Sequence, residues 1–187
     1  MQADCLRSPG DVTMHRNAAD LQARDQDRVA AHLLRLAPDD RSLRFSAGVV
    51  TDDTIRAYVA RIRFDHDLVL GLVSQCGQVF GLAHGCVYDR GGQLHIEAAF
   101  SVDVAWRGVG LGKALMRAVQ LRAGARACER AALVGLCAAR NWPMRRIFEG
   151  AGMALQRADD EMHAHGWVLP SRVGKPACPM NLTMKVS

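Results

Sequence analysis

At 187 residues, 49% hydrophobic and 23% charged, the chain has a globular composition and can bury about two thirds of its unfolded surface in one domain. Its apolar stretches, such as Leu68 to Val73, fall far short of the roughly 20 residues that span a bilayer, and residues 1 to 25 lack the continuous apolar segment of a signal peptide. A cytoplasmic location is expected, and a membrane partner is not. Lys and Arg exceed Asp and Glu by 24 to 19, a net charge of +5 that suits an anionic partner.

Charge alone would allow nucleic acid. The basic residues are dispersed, however, aromatics are 5%, and no helix-turn-helix, zinc-finger or RNP-like pattern occurs, so a phosphorylated small molecule explains the excess at least as well. Six cysteines form no C-x-x-C pair, and without an export signal they are read as thiols. Cys86 and Cys137 fall in apolar runs and are expected to be small buried hydrophobes.

Residues 1 to 24 read as an irregular segment with a short strand near Asp11 to His15. A 3.6-residue apolar period predicts a helix from Asp25 to Leu36, ended by Pro38. A second helix is expected from Asp52 to Arg63, with Thr51 as N-cap and Ile55, Tyr58, Val59 and Ile62 on one face. Leu68 to Ser74, Val79 to Tyr88 and Leu94 to Val104 alternate with turn-forming residues and predict an antiparallel meander. A glycine-rich turn leads into a helix from Val109 to Arg122. The uniformly apolar Ala131 to Ala138 predicts a strand covered on both faces. A short helix follows at Pro143 to Glu149, then strands at Met153 to Arg157 and Met162 to Leu169. Residues 170 to 187 read as a tail, in which Met180 to Val186 could add an edge strand. One domain over 1 to 187 is expected.

The segment Arg107-Gly108-Val109-Gly110-Leu111-Gly112-Lys113 lies between a strand and a helix, where free backbone N–H groups and the helix dipole favour an anion. Glycine permits positive φ and a close backbone approach there. Spacing tests the known phosphate motifs. A Walker loop would need Gly where Arg107 stands and a hydroxyl where Ala114 stands. G-x-G-x-x-G fails because Lys113 follows Gly108 and Gly110, and Leu115 follows Gly110 and Gly112.

What remains is R-x-x-G-x-G, from Arg107, Gly110 and Gly112, preceded by Glu97-Ala98-Ala99-Phe100-Ser101-Val102 as E-x-A-x-x-V. Asn141 to Met153, with Phe148-Glu149 and Gly152, follows an N-x-x-A-x-x-L-Y-E-x-x-G-F pattern with Met144, Ile147, Phe148 and Met153 as variants. Together with Leu36 to Phe45, these blocks cover most of residues 25 to 169 in order, and the chain resembles the GNAT N-acetyltransferase family.

The resemblance implies a mixed α/β fold whose central, mostly antiparallel sheet splays after the central strand and is flanked by helices. It implies acetyl-CoA as cosubstrate and no metal. Val102 and Val104 would offer backbone groups to the pantetheine arm. The pyrophosphate would rest on amides of Gly108, Val109, Gly110, Leu111, Gly112 and Lys113, with charge from Arg107 and Lys113, and Asn141 would meet the cofactor arm. Solvated surface charge is the alternative for the Arg107 and Lys113 side chains.

A lysine-like amine is almost wholly protonated at neutral pH, so direct attack needs a base; Glu97 is the candidate, with a merely structural carboxylate as the alternative. A backbone N–H near Val102 would face the developing oxyanion. Phe148 stands where many members carry a proton-donating tyrosine, and is expected to pack on the pantetheine arm instead; Tyr58 or Tyr88 could replace that acid. His163 and His165 share a strand face but make no metal site by themselves. The expected partner is a small-molecule amine or a protein amino group, and a homodimer stays open. A noncatalytic acyl-CoA-binding or regulatory module is the alternative of a different class.

Overall fold

A computed structural model describes residues 17–171; the predicted strands near residues 11 to 15 and 180 to 186 lie outside the described residues. From Ala23 to Ala60 the described chain is mostly helical. A 3-10 turn (Ala23–Asp25) leads into α1 (Gln26–Leu34), which buries Val29, His32 and Leu33. Sequence reasoning ended a helix at Pro38 and missed that the same proline starts another, α2 (Pro38–Phe45). Proline at the first helical position lacks only an N–H that would be unpaired there anyway. In α3 (Asp52–Ala60) the predicted cap is present: the Thr51 hydroxyl accepts from the Thr54 N–H at 3.2 Å.

The described residues form seven strands, β1 (Ala19–Asp20) ahead of the helices and then β2 (Leu68–Val73), β3 (Val79–Arg90), β4 (Gln93–Val102), β5 (Ala131–Ala138), β6 (Ala154–Ala158) and β7 (Glu161–Val168). They form one sheet in the order β1-β2-β3-β4-β5-β7-β6. Pairing is antiparallel except between β4 and β5. The predicted meander is β2-β3-β4. The helix after the glycine turn, α4 (Leu111–Arg126), is longer than its apolar pattern suggested, and α5 (Trp142–Gly150) has Pro143 in its first turn.

One face of the sheet buries Leu70, Phe80, Ile96, Ala98 and Leu133 against α4 and Phe148. The other buries Val69, Val79 and Leu82 against Val29 and Leu33 of α1 and Ile55 and Val59 of α3. Cys137 is buried as expected, but Cys86 is exposed: the alternation of β3 turns it away from Gly85 and Val87, which its apolar surroundings in sequence did not reveal. No helix among the described residues is long and apolar enough to cross a membrane.

The sheet splits between β4 and β5. Their rungs run from Leu94↔Ala131 to Glu97↔Val134 and stop there. β3 nonetheless follows β4 to Val102, and β7 follows β5 to Ala138. Ala98 to Val102 and Gly135 to Ala138 thus face each other unpaired. The β4 arm is tied to α1: Ser101 Oγ lies 2.8 Å from His32 Nε2 and the Asp103 carboxylate 3.0 Å from Arg35. On the β5 arm, a Cβ added at Gly135 would collide with the Phe148 ring, so that glycine makes room for the phenyl group from α5.

Candidate active site

The split opens into a cavity of about 820 Å³, lined by β4 from Ala98 to Val102, by the glycine turn and the first turn of α4, by α5, and by Asp40, Leu43 and Arg44 of α2. That volume suits a cofactor-sized ligand.

Gly108 and Gly110 sit at φ 80° and 89°, a backbone region that side chains other than glycine enter only with strain, and no atom lies within 4 Å of where a Cβ would stand on either. The first N–H groups of α4 have no carbonyl one turn earlier to bond, and they border this cavity. Arg107 is not a free cation: its Nε donates to the Val102 carbonyl at 2.9 Å and its Nη1 lies 2.9 Å from Asp40. The pair pins α2 onto the loop. Lys113 is exposed and lines the cavity.

At the far wall the Asn141 side-chain oxygen caps α5, accepting from the Met144 N–H at 3.2 Å, so its amide group remains to donate. Phe148 is 1% exposed and belongs to both the core and the cavity wall. Phenylalanine offers no proton there.

Glu97 occupies the last rung before the split. Alternation sets it opposite Ile96 and Ala98, on the α1–α3 side of the sheet, where it is exposed. A polar chain lies beside it on that face. His84, the cross-strand partner of Ala99, has Nδ1 2.5 Å from the Tyr58 hydroxyl and Nε2 3.3 Å from Asp67, and the Tyr58 oxygen accepts from Arg44 Nη2 at 2.9 Å. Burial opposes the Asp67 charge, but N–H groups of Val87 and Arg63 with the His84 and Arg63 side chains outweigh it, and its pKa falls to about 2. Burial, with Arg44 nearby, pushes the His84 pKa below its ordinary value against the pull of Asp67. Among the described residues no group of three His, Cys, Asp or Glu could hold a metal.

A family model described as "Acetyltransferase (GNAT) family" matches residues 27–153. The chain belongs to the GNAT acetyltransferase family. It is therefore an acetyl-CoA-dependent acyltransferase, with the mixed α/β fold and splayed, mostly antiparallel sheet expected of it. The acetyltransferase is similar in fold to the GNAT domain of S. lividans PAT, at 18% identity and a TM-score of 0.65 over 80% of this chain and 88% of that one. The phosphinothricin acetyltransferase of Sinorhizobium meliloti, solved with AcCoA, gives 14% identity and 0.64 over 90% and 96%. The ribosomal-protein-S5-alanine acetyltransferase of Vibrio fischeri gives 11% and 0.59 over 83% and 93%. No curated protein sequence matches the chain.

The residues present fit acetyl-CoA: the unpaired β4 edge offers strand-like hydrogen bonds to an extended arm, and the open glycine turn offers amides to phosphates. Of the residues singled out in the sequence, Val102, Arg107, Gly108, Gly110, Leu111, Gly112, Lys113, Asn141 and Phe148 line the acetyltransferase's cavity, and Glu97, Val104 and Val109 do not. Val104 and Val109 are 65% and 41% exposed. Sequence reasoning missed His84, Asp67 and the contacts of Arg44, for no motif links residues so far apart in the chain. Tyr88 stacks on His95 at 5.3 Å between ring centroids, and His163 and His165 are exposed on one face of β7, His165 against Trp167.

Proposed function

We propose that this acetyltransferase moves the acetyl group of acetyl-CoA to a primary amine by direct attack in a ternary complex, within a single catalytic domain. The observation that carries the reading is the end of the β4–β5 ladder at Glu97, whose backbone stands at the fork while its exposed carboxylate lies on the α1–α3 side of the sheet, outside the cavity lining. Bound acetyl-CoA supplies an activated acyl thioester. Amides from Gly108 to Lys113, with the Lys113 ammonium, hold its phosphates, while Arg107 chiefly fixes the loop through Asp40 and Val102. The backbone of Val102, and of Val104 just beyond it, is offered to the pantetheine arm, the Asn141 amide donates from α5, and Phe148 packs against the arm.

Glu97, directly or through one water, takes the proton from the acceptor ammonium. A β4 N–H near Val102 faces the carbonyl oxygen as charge develops on it. Because a thiol has an unperturbed pKa of about 8.5, CoA leaves without a side-chain acid at position 148. The test is a thiol-release assay with polyamines, aminoglycosides, amino acids and protein N-termini. Release of CoA with at least one class supports the reading. Binding of acetyl-CoA with no release across the panel would leave a noncatalytic acyl-CoA-binding module.

A further inference from the structure

Along the α1–α3 side of the molecule several arginines stand against a carboxylate: Arg35 on Asp103, Arg41 on Asp52 and Arg63 on Asp67, as Arg107 does on Asp40 at the glycine loop. Arg44 lines the cavity without one. Among the described residues its polar contact is the Tyr58 hydroxyl, and its guanidinium lies 5.1 and 5.4 Å from the ring centroids of Phe45 and Tyr58. Resting on the transferase reading above, we propose that Arg44 anchors an anionic group of the acceptor, which makes the acceptor a small amine with its own carboxylate, of the amino-acid class.

The network behind Arg44 explains why the charge is left uncompensated and held still. Asp67 is a carboxylate at any ordinary pH, so it accepts from His84 Nε2–H. His84 Nδ1 is then a bare acceptor, and Tyr58 must donate to it. The tyrosyl oxygen keeps its lone pairs for Arg44 Nη2. Every proton has one place, and the cation is fixed by a neutral hydroxyl. Such a guanidinium gives up little further freedom when an anion arrives.

Position assigns that anion to the acceptor and not to the cofactor. Asp40, one helical turn before Arg44, is the α2 residue on the glycine loop. Arg44 points through Tyr58 to His84, whose cross-strand partner Ala99 is two residues from Glu97. Glu97 is thus two residues along β4 from Ala99, and Arg44 reaches the cross-strand partner of Ala99 through Tyr58; a carboxylate and a cation on this side of the cleft suit the ammonium and carboxylate of a zwitterion. Lys113, Arg140 and Arg146 line the cavity at the α4 and α5 end for the phosphates. A polycationic amine would meet the Arg44 charge unfavourably.

The test compares each of the twenty amino acids, β-alanine and γ-aminobutyrate with its own amide by CoA release, in wild type, Arg44→Gln and Arg44→Lys. Wild type is expected to favour the best acid over its amide by about 10-fold to 100-fold in kcat/KM, the size of one charge-assisted hydrogen bond. Arg44→Gln should bring that ratio near one through the KM of the acid, with acetyl-CoA affinity by thermal shift retained, and Arg44→Lys should keep part of it. Amides used as well as acids, or a loss in Arg44→Gln confined to acetyl-CoA affinity, would overturn the inference. Turnover of polyamines with no amino acid accepted would overturn it too while the transferase reading stands. If no amine releases CoA, the transferase reading fails, and thermal shift of the CoA-saturated protein with the same amino acids decides: stabilisation lost in Arg44→Gln keeps the Arg44 site, and none removes it.

Discussion

The two faces of the sheet are built differently. Against α4 the buried side chains from the strands are apolar, Leu70, Phe80, Ile96 and Leu133 among them. Against α1 and α3 the buried set includes His32, Asp67 and His84 beside the aliphatic residues. A buried polar group destabilises unless it is bonded, and these are: His32 to Ser101, His84 to Tyr58 and Asp67, Asp67 to Arg63 and to the Val87 N–H. The contrast teaches that burial on the α4 face serves stability, whereas polar groups gather on the face that Glu97 and Arg44 share. Substitutions can test whether stability and turnover divide in this way.

The largest effect is expected at Glu97. Glu97→Gln should lower turnover at neutral pH by about 10²-fold to 10⁴-fold, as for loss of a general base, with melting temperature and acetyl-CoA binding retained because the side chain is exposed. The deficit should shrink as pH rises and free amine accumulates. An unchanged pH–rate profile would remove Glu97 from the chemistry.

On the opposite face, Phe148→Ala should cost about 3–5 kcal/mol in denaturant unfolding, the usual range for emptying a core phenylalanine, together with acetyl-CoA affinity. Normal stability in that variant would break the comparison, and normal affinity would end the packing role of the ring. Next comes Gly110→Val, which puts a β-branched residue at φ 89°. It should abolish the rise in melting temperature that acetyl-CoA gives wild type, a stabilisation of about 2.7 kcal/mol at a ligand concentration 100 times Kd. Wild-type affinity there would mean the phosphates lie elsewhere.

The smallest effect concerns acid. Asp67 and His84 both titrate lower when folded, so the unfolded chain takes up protons first on acidification, and both contribute stability above their unfolded pKa values. The His84 contribution should fade as pH drops below its ordinary value of 6.5. The Asp67 contribution, about 2 kcal/mol from the drop to about 2, should fade between about pH 4 and pH 2. Denaturant curves from about pH 7 to about pH 2 check this; in His84→Gln the loss starting near the ordinary value of 6.5 should flatten, and an unaltered slope would place that loss in another group.

Local chemistry determined a good deal of this molecule before any folding. Thr51 announces a helix start because its hydroxyl can take a first-turn N–H, Gly108 and Gly110 announce a turn because they permit positive φ, and the apolar runs of β2 to β5 announce buried strands. The glycine turn with its preceding strand and the Asn141 segment sufficed to resemble a family, since those residues act through backbone geometry fixed within a few positions. Pro38 shows the limit at short range: a residue that ends one helix can begin the next, and only α2's docking over the split sheet selects both roles. The rest was decided by tertiary structure. Cys86 and Cys137 read alike in sequence, but which face of a strand looks outward depends on what covers it. Arg44, Tyr58, Asp67 and His84 carry no shared motif, because a hydrogen-bonded chain needs its members adjacent in space, and α2, α3, the turn before β2 and β3 bring them together only once the sheet has formed. The cleft itself exists because β4 is held to α1 while Phe148 occupies the space beside Gly135, contacts between residues too distant in sequence for any local pattern to record.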